Sequence, residues 1–210
     1  MADLMALTAA IERGDRKTAT EVTQAAIDDG MDPATILAAM TEAMDIVGAR
    51  FQRNEIYVPE MLISARAMKE SVAILEPLLV DSGIRPQFTA VIGTVKGDLH
   101  DIGKNLVAMM WKGANIDVVD LGANVAPEAF VATAREHDAR LVGVSALLTT
   151  TMVGMKYVVD GIRAAGLADC RVIVGGAPVT AEFAAQIGAD GYAPDAASAV
   201  ETAKRLAGAA

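Results

Sequence analysis

The chain has 210 residues, 53% of them hydrophobic and 21% charged, which is too apolar for a disordered chain and enough for one large domain or two small ones. Twenty-seven Asp and Glu against 18 Lys and Arg give a formal net charge of -9, so a phosphate backbone or an anionic leaflet is repelled on average, and neither nucleic acid nor membrane is an expected partner. A single cysteine, Cys170, excludes an internal disulfide and a multi-cysteine metal site, no apolar run is long enough to span a bilayer, and residues 1–10 lack a basic leader, so the expected location is cytoplasmic.

Up to about Leu79 the apolar residues recur at helical spacing: Leu4, Leu7 and Ile11, then Ile36, Met40, Met44, Val47 and Phe51, then Met61, Ala65, Met68, Val72 and Leu75. Gly14 with Asp15 separates the first two helices. Asp32 with Pro33 is an N-cap followed by a proline at the first helical position, and Pro59 opens the last helix. Four helices are predicted, hence a small bundle over residues 1–80. The stretch 81–88, DSGIRPQF, has the composition of a tether.

Glycine then becomes frequent, and short β-prone runs follow at 89–95, 116–121, 141–147 and 171–177, with a weaker one at 191–193. Helix-compatible segments separate them. Buried strands alternating with helices predict a parallel sheet covered on both faces, which binds ligands beyond the carboxyl ends of its strands, where the winding reverses.

The loop after the first strand, Lys96 to Asn105, sets His100, one of two histidines, among Asp98 and Asp101. Imidazole is a metal ligand, and a carboxylate on its far nitrogen would fix the tautomer and raise its basicity. Asp98 is the candidate for that carboxylate. From D-x-H-x-x-G alone a plainer reading stands level with it: Asp98 caps the following helix and His100 sits at its start. The third strand ends in Ser145, Leu147 and Thr149 to Thr151, bringing hydroxyls to the same sheet edge, although the threonines also suit a helix cap. The fourth ends in Gly175-Gly176, where a missing Cβ lets a bulky ligand approach the backbone, although paired glycines also occur in plain turns. Residues 188–195 form the last strand-to-helix corner.

Together, Asp98/His100/Gly103, Ser145/Leu147 and Gly175/Gly176 resemble the D-x-H-x-x-G, S-x-L and G-G signatures of cobalamin-binding domains, in the same order and spacing. FQRNEIYVPEM at 51–61, followed by SARAMK at 64–69, is similar to the helical cap of methyl-carrying corrinoid proteins and to the matching modules of cobalamin-dependent methionine synthase. The resemblance covers about residues 1–208. It implies an α/β fold: an N-terminal four-helix bundle cap (1–80), a linker (81–88) and a flavodoxin-like, doubly wound, five-stranded parallel sheet of Rossmann-like type (89–210) that binds cobalamin.

The resemblance further implies a cobalamin or related corrinoid held base-off and His-on, with His100 as the lower cobalt ligand and Asp98 bonded to the other side of the ring. Thr151 stands where methionine synthase has a serine that completes a His–Asp–hydroxyl relay. Ser145 and Thr149 would line the nucleotide tail, Gly103, Gly175 and Gly176 would leave room for it, and Tyr192 and Ala193 would border its far end. Leu99, Asp101 and Leu147 would contribute from the same loops, and Tyr57 and Met61 would shelter the methyl-bearing face.

The implied function is to carry a methyl group on cobalt. The donor side would be a substrate-specific methyltransferase using methanol, methylamine or methoxyl-type donors, and the acceptor side a second methyltransferase acting on a thiol or tetrahydrofolate-type acceptor. A reductive activase would be a further partner, and the chain alone would not be catalytic. A cobalamin-dependent sensor is the alternative, but such regulators usually carry a basic helix-turn-helix segment that this acidic chain lacks. A mutase small subunit generally lacks the helical cap.

Overall fold

Three helices in the N-terminal half begin on an aspartate that closes the first turn. Asp3, Asp15 and Asp32 accept hydrogen bonds from the backbone N–H groups of Met5, Thr18 and Thr35, at the starts of α1 (Leu4–Glu12), α2 (Arg16–Asp28) and α3 (Pro33–Gln52). α4 (Val58–Asp81) opens instead with the Glu60 carboxylate accepting the Tyr57 N–H at 3.0 Å. The computed structural model describes residues 2–208. Within these, the chain forms two compact units, one from its start to Pro86 with Lys112–Asn115, the other Gln87–Trp111 and Ile116 onward.

In the helical unit α2 lies against α4, α1 against α3, and α3 against α4. Leu7, Ile11, Ile36, Met40 and Leu75 are fully buried, as their helical spacing requires. α4 runs through Pro77 as far as Asp81, the first residue of the predicted tether, because Leu75 and Leu79 on either side of the proline are both buried. Gly83 then turns the chain with a φ of 71°.

The second unit is a five-stranded parallel sheet in the order β2-β1-β3-β4-β5. Its strands are β1 (Thr89–Thr94), β2 (Asp117–Asp120), β3 (Leu141–Ser145), β4 (Arg171–Gly175) and β5 (Gly191–Ala193). Helices α5 (Ile102–Gly113), α6 (Pro127–Glu136), α7 (Val153–Ala164), α8 (Ala181–Ile187) and α9 (Ala196–Ala207) alternate with them. The near-continuous burial of Ala90–Thr94 and Leu141–Val144 is what a sheet covered on both faces demands. The winding reverses between β1 and β3, which makes their carboxyl ends the switch point.

Strand register sets four chemically relevant ends in one row, Thr94 beside Ser145, Ser145 beside Gly175, and Gly175 beside Ala193. Trp111 fixes α5 on this sheet. It is fully buried, its indole N–H donates to the Ala199 carbonyl of α9 at 3.1 Å, and its ring fills the space over Gly143 of β3, where a Cβ would come within 2.6 Å of it. No helix among the described residues is long and apolar enough to cross a membrane.

Candidate functional site

The chain leaves β1 and turns at Gly97, whose φ of 85° suits glycine, so that Asp98 swings under the loop that follows β3. The Asp98 side chain is fully buried and accepts five hydrogen bonds. Oδ1 takes the backbone N–H of His100 at 3.1 Å and faces Nδ1 of its ring at 2.8 Å. Oδ2 takes the N–H groups of Leu147 and Leu148 at 2.8 and 3.1 Å and the Thr151 hydroxyl at 2.9 Å. Burial opposes the charge on this carboxylate, but the bonds from Leu147, His100 and Thr151 outweigh it and hold its pKa far below the usual carboxylate range.

An ionised Asp98 decides the state of its neighbour. The His100 Nδ1 hydrogen points at this carboxylate, and Nε2 is the ring nitrogen left for another partner, on a side chain that is 52% exposed. The backbone of His100 is gripped as well: its carbonyl accepts the hydroxyl of Thr94, a fully buried residue at the end of β1, at 3.1 Å. The result is an imidazole pinned on one nitrogen and open on the other.

The plainer capping readings do not describe these residues. α5 begins only at Ile102, and the Asp98 carboxylate spends its bonds on His100 and the β3–α7 loop. α7 begins at Val153 with Met152 as its cap residue and no side-chain cap bond, while the Thr151 hydroxyl offers its one hydrogen to Asp98 Oδ2 and to the Leu148 carbonyl.

Leu99, beside His100 in the loop after β1, Ile102 at the first position of α5, and Leu147 and Leu148, whose backbone N–H groups bond Asp98 in the loop after β3, are exposed apolar residues at the carboxyl ends of the two strands. The Asp101 carbonyl accepts the Asn105 N–H and so starts α5. Ser145 is half-buried at the end of β3, its carbonyl bonded to the Val95 N–H, and Thr149 is exposed. Gly103 faces open space: a Cβ there would meet nothing within 4 Å.

Gly175 and Gly176 are each required by the protein's own backbone. A Cβ on Gly176, whose φ is 130°, would lie 1.9 Å from the Ala146 carbonyl oxygen, and one on Gly175 would lie 2.8 Å from that of Ala193. Tyr192 is half-buried and Ala193 buried at the end of β5, in the same row of strand ends but two strands from β3. Tyr57 and Met61 belong to the helical unit; Tyr57 is exposed and Met61 is buried, so the two cannot present surface to a ligand equally.

Several residues at the site had no sequence motif to point to them. Asn124, in the loop after β2, accepts the Gly97 N–H at 2.8 Å and donates its own N–H to the Asp98 carbonyl at 2.9 Å. Thr94 and Leu148 act through a hydroxyl and a backbone N–H, which one sequence does not distinguish from any other. Lys104 is buried with its ammonium against both Asp120 oxygens at 2.6 Å. Its place in the motif loop was readable, but its partner lies 16 residues away.

His100 is a lone donor. The described residues contain no cluster of three or more His, Cys, Asp or Glu that could hold a metal ion.

Two family models match, each described as a B12 binding domain, one over residues 88–201 and one over 4–76. A corrinoid protein of Desulfitobacterium hafniense strain Y51, DSY3155, is 39% identical over 204 residues, covering 95% of this chain and 94% of that one. The dimethylamine corrinoid protein of Methanosarcina barkeri is 39% identical over 179 residues, 84% of each chain. Among solved structures, the methanol:cobalamin methyltransferase complex MtaBC of Methanosarcina barkeri contains a chain matched at 30% identity with a TM-score of 0.85, covering 99% of this chain and 80% of that one.

Proposed function

This chain belongs to the B12 binding domain family and, within it, to the corrinoid proteins; from that premise we propose that it is the methyl-carrying subunit of a methanol- or methylamine-type methyltransferase system. The observation that carries the proposal is the Asp98–His100 pair, which engages one imidazole nitrogen and leaves the other for a ligand at a strand-end site with exposed apolar residues in the same loops. In this reading the corrinoid is bound base-off, with His100 replacing the cofactor's own nucleotide base as lower ligand. The residues fit such a group: His100 Nε2 would serve as the nitrogen donor to its metal, and the exposed Leu99, Ile102, Leu147 and Leu148 would offer it apolar surface. When bound, the corrinoid supplies a cobalt centre that accepts a methyl group and gives it up.

The chain's own work is to hold and tune. Asp98 keeps the hydrogen on Nδ1 and raises the donor strength of Nε2, and Thr151 steadies Asp98 from the far side. Ser145 and Thr149, with the open space at Gly103, are assigned to the nucleotide tail, and Tyr192 and Ala193 to its far end. Partner methyltransferases on the donor and acceptor sides are assigned the catalysis, a reading supported by the likeness to the methanol:cobalamin methyltransferase complex. A reductive activase completes the expected set of partners.

The test loads the protein with hydroxocobalamin, reduces it, and supplies methyl-labelled methanol or methylamine with the corresponding substrate:corrinoid methyltransferase. The label should become bound to the protein's corrinoid and then pass to a thiol when an acceptor methyltransferase is added. Retention of DNA at moderate salt, with no label taken up, would move the protein to the sensors.

A further inference from the structure

We propose that Lys104 is a positioning residue for the cofactor ligand, acting through Asp120 and the end of β1 on the His100 backbone. The inference rests on the reading of His100 as the axial ligand. Lys104 is 2% exposed, and its ammonium donates at 2.6 Å to both oxygens of Asp120 and to Oδ1 of Asn105. A buried ammonium is retained only when fully paired, and removing its partner is costly. Trp111 fastens the far end of the same helix to the sheet unit, so Lys104 is the anchor at the end that follows His100.

The bonds close a circuit. Asp120, at the end of β2, also accepts the Gly122 N–H on Oδ1 at 2.8 Å. The Gly122 carbonyl accepts the Thr94 N–H at 2.9 Å, and the Thr94 hydroxyl donates to the His100 carbonyl at 3.1 Å. From His100 the chain returns to Lys104 in four residues. The ligand loop is thus held from two sides of the switch point, by the Asp98 carboxylate against the β3–α7 loop and by Lys104 against the end of β2.

Both anchors bear on the direction of Nε2, but only Asp98 touches the ring. Lys104→Met should leave the Asp98 bonds in place and let the first turn of α5 and the His100 carbonyl drift. The result is a weaker axial bond without loss of the fold.

The experiment titrates apo wild type, Lys104→Met and Asp120→Asn with hydroxocobalamin, reading affinity and the axial-ligand-sensitive visible spectrum, beside circular dichroism and thermal unfolding of each apo protein. Corrinoid affinity should fall about 10-fold in Lys104→Met, in the range seen when outer partners of metal ligands are removed, with a spectrum shifted toward that of His100→Ala. Asp120→Asn should lie between. A folded Lys104→Met with wild-type affinity and spectrum overturns the inference, as does a drop in apo stability alone. If Lys104→Met does not fold, Asp120→Asn decides: unchanged binding overturns the inference and weakened binding supports it. A wild-type spectrum that does not respond to His100→Ala sinks the reading of His100 itself, a distinct outcome.

Discussion

Oδ1 of Asp98 lies 2.8 Å from Nδ1 of His100, and Oδ2 of the same carboxylate lies 2.9 Å from Oγ1 of Thr151. One buried side chain thus ties the loop after β1 to the loop after β3. Asp98→Asn keeps the size but turns an amide N–H₂ toward donors that need an acceptor, so at least one buried donor is left unpaired. The expected loss is about 1–3 kcal/mol of apo stability and roughly 10- to 100-fold in corrinoid affinity. Urea unfolding and cofactor titration measure the two. Because folding lowers the Asp98 pKa, its contribution is full above the unfolded value of about 3.9 and fades as pH falls toward the folded one. The stability gap between wild type and Asp98→Asn should be constant from about pH 8 to 5 and narrow below about pH 4; a gap that widens on acidification contradicts this.

Thr151 contributes a hydroxyl and not a shape. Thr151→Ser should keep corrinoid affinity near wild type. Thr151→Val, close in shape but without the donor, should lose about 0.5–1.5 kcal/mol of apo stability, as expected for one hydrogen bond, and bind more weakly. Equal binding by the two variants would remove Thr151 from the ligand relay.

Gly103 and Gly176 should part company. Gly103→Ala meets nothing within 4 Å at the start of α5, so the apo protein should gain about 0.5–1 kcal/mol from the better helix former. If the nucleotide tail occupies that space, the same variant binds corrinoid less well. Gly176→Ala should cost more than about 2 kcal/mol, because it combines an unfavourable φ with a collision on the Ala146 carbonyl. Matched unfolding curves of the two apo variants check the contrast.

Cys170 should be inert. Burial pushes its thiol up to about 11, with the Asp190 charge adding to the shift and Arg171 opposing it. Alkylation of native protein by iodoacetamide should be negligible at pH 8 and rise only as pH approaches 11, whereas unfolded protein reacts at pH 8. Fast native labelling at pH 8 would contradict the burial.

The helical spacing of Leu7, Ile11, Ile36 and Met40 and the buried run of β1 made both halves of the fold readable from the sequence, since each element's period is local. The His100 loop was readable because its donor and its carboxylate partner lie two residues apart. What the sequence does not carry is contact between distant loops. Thr94, Asn124 and the Lys104–Asp120 pair reach the loop only once β1, β2 and α5 are aligned. The glycine pair at 175–176 was legible as a requirement, but its cause, the neighbouring carbonyls of Ala146 and Ala193, depends on the same alignment.

The measurement closest to the centre of the account is the visible spectrum of hydroxocobalamin bound to wild type and to His100→Ala at neutral pH, repeated with free imidazole added. The two spectra should differ, with imidazole driving the His100→Ala complex back toward the wild-type form. Identical spectra for the two proteins, indifferent to imidazole, would contradict it.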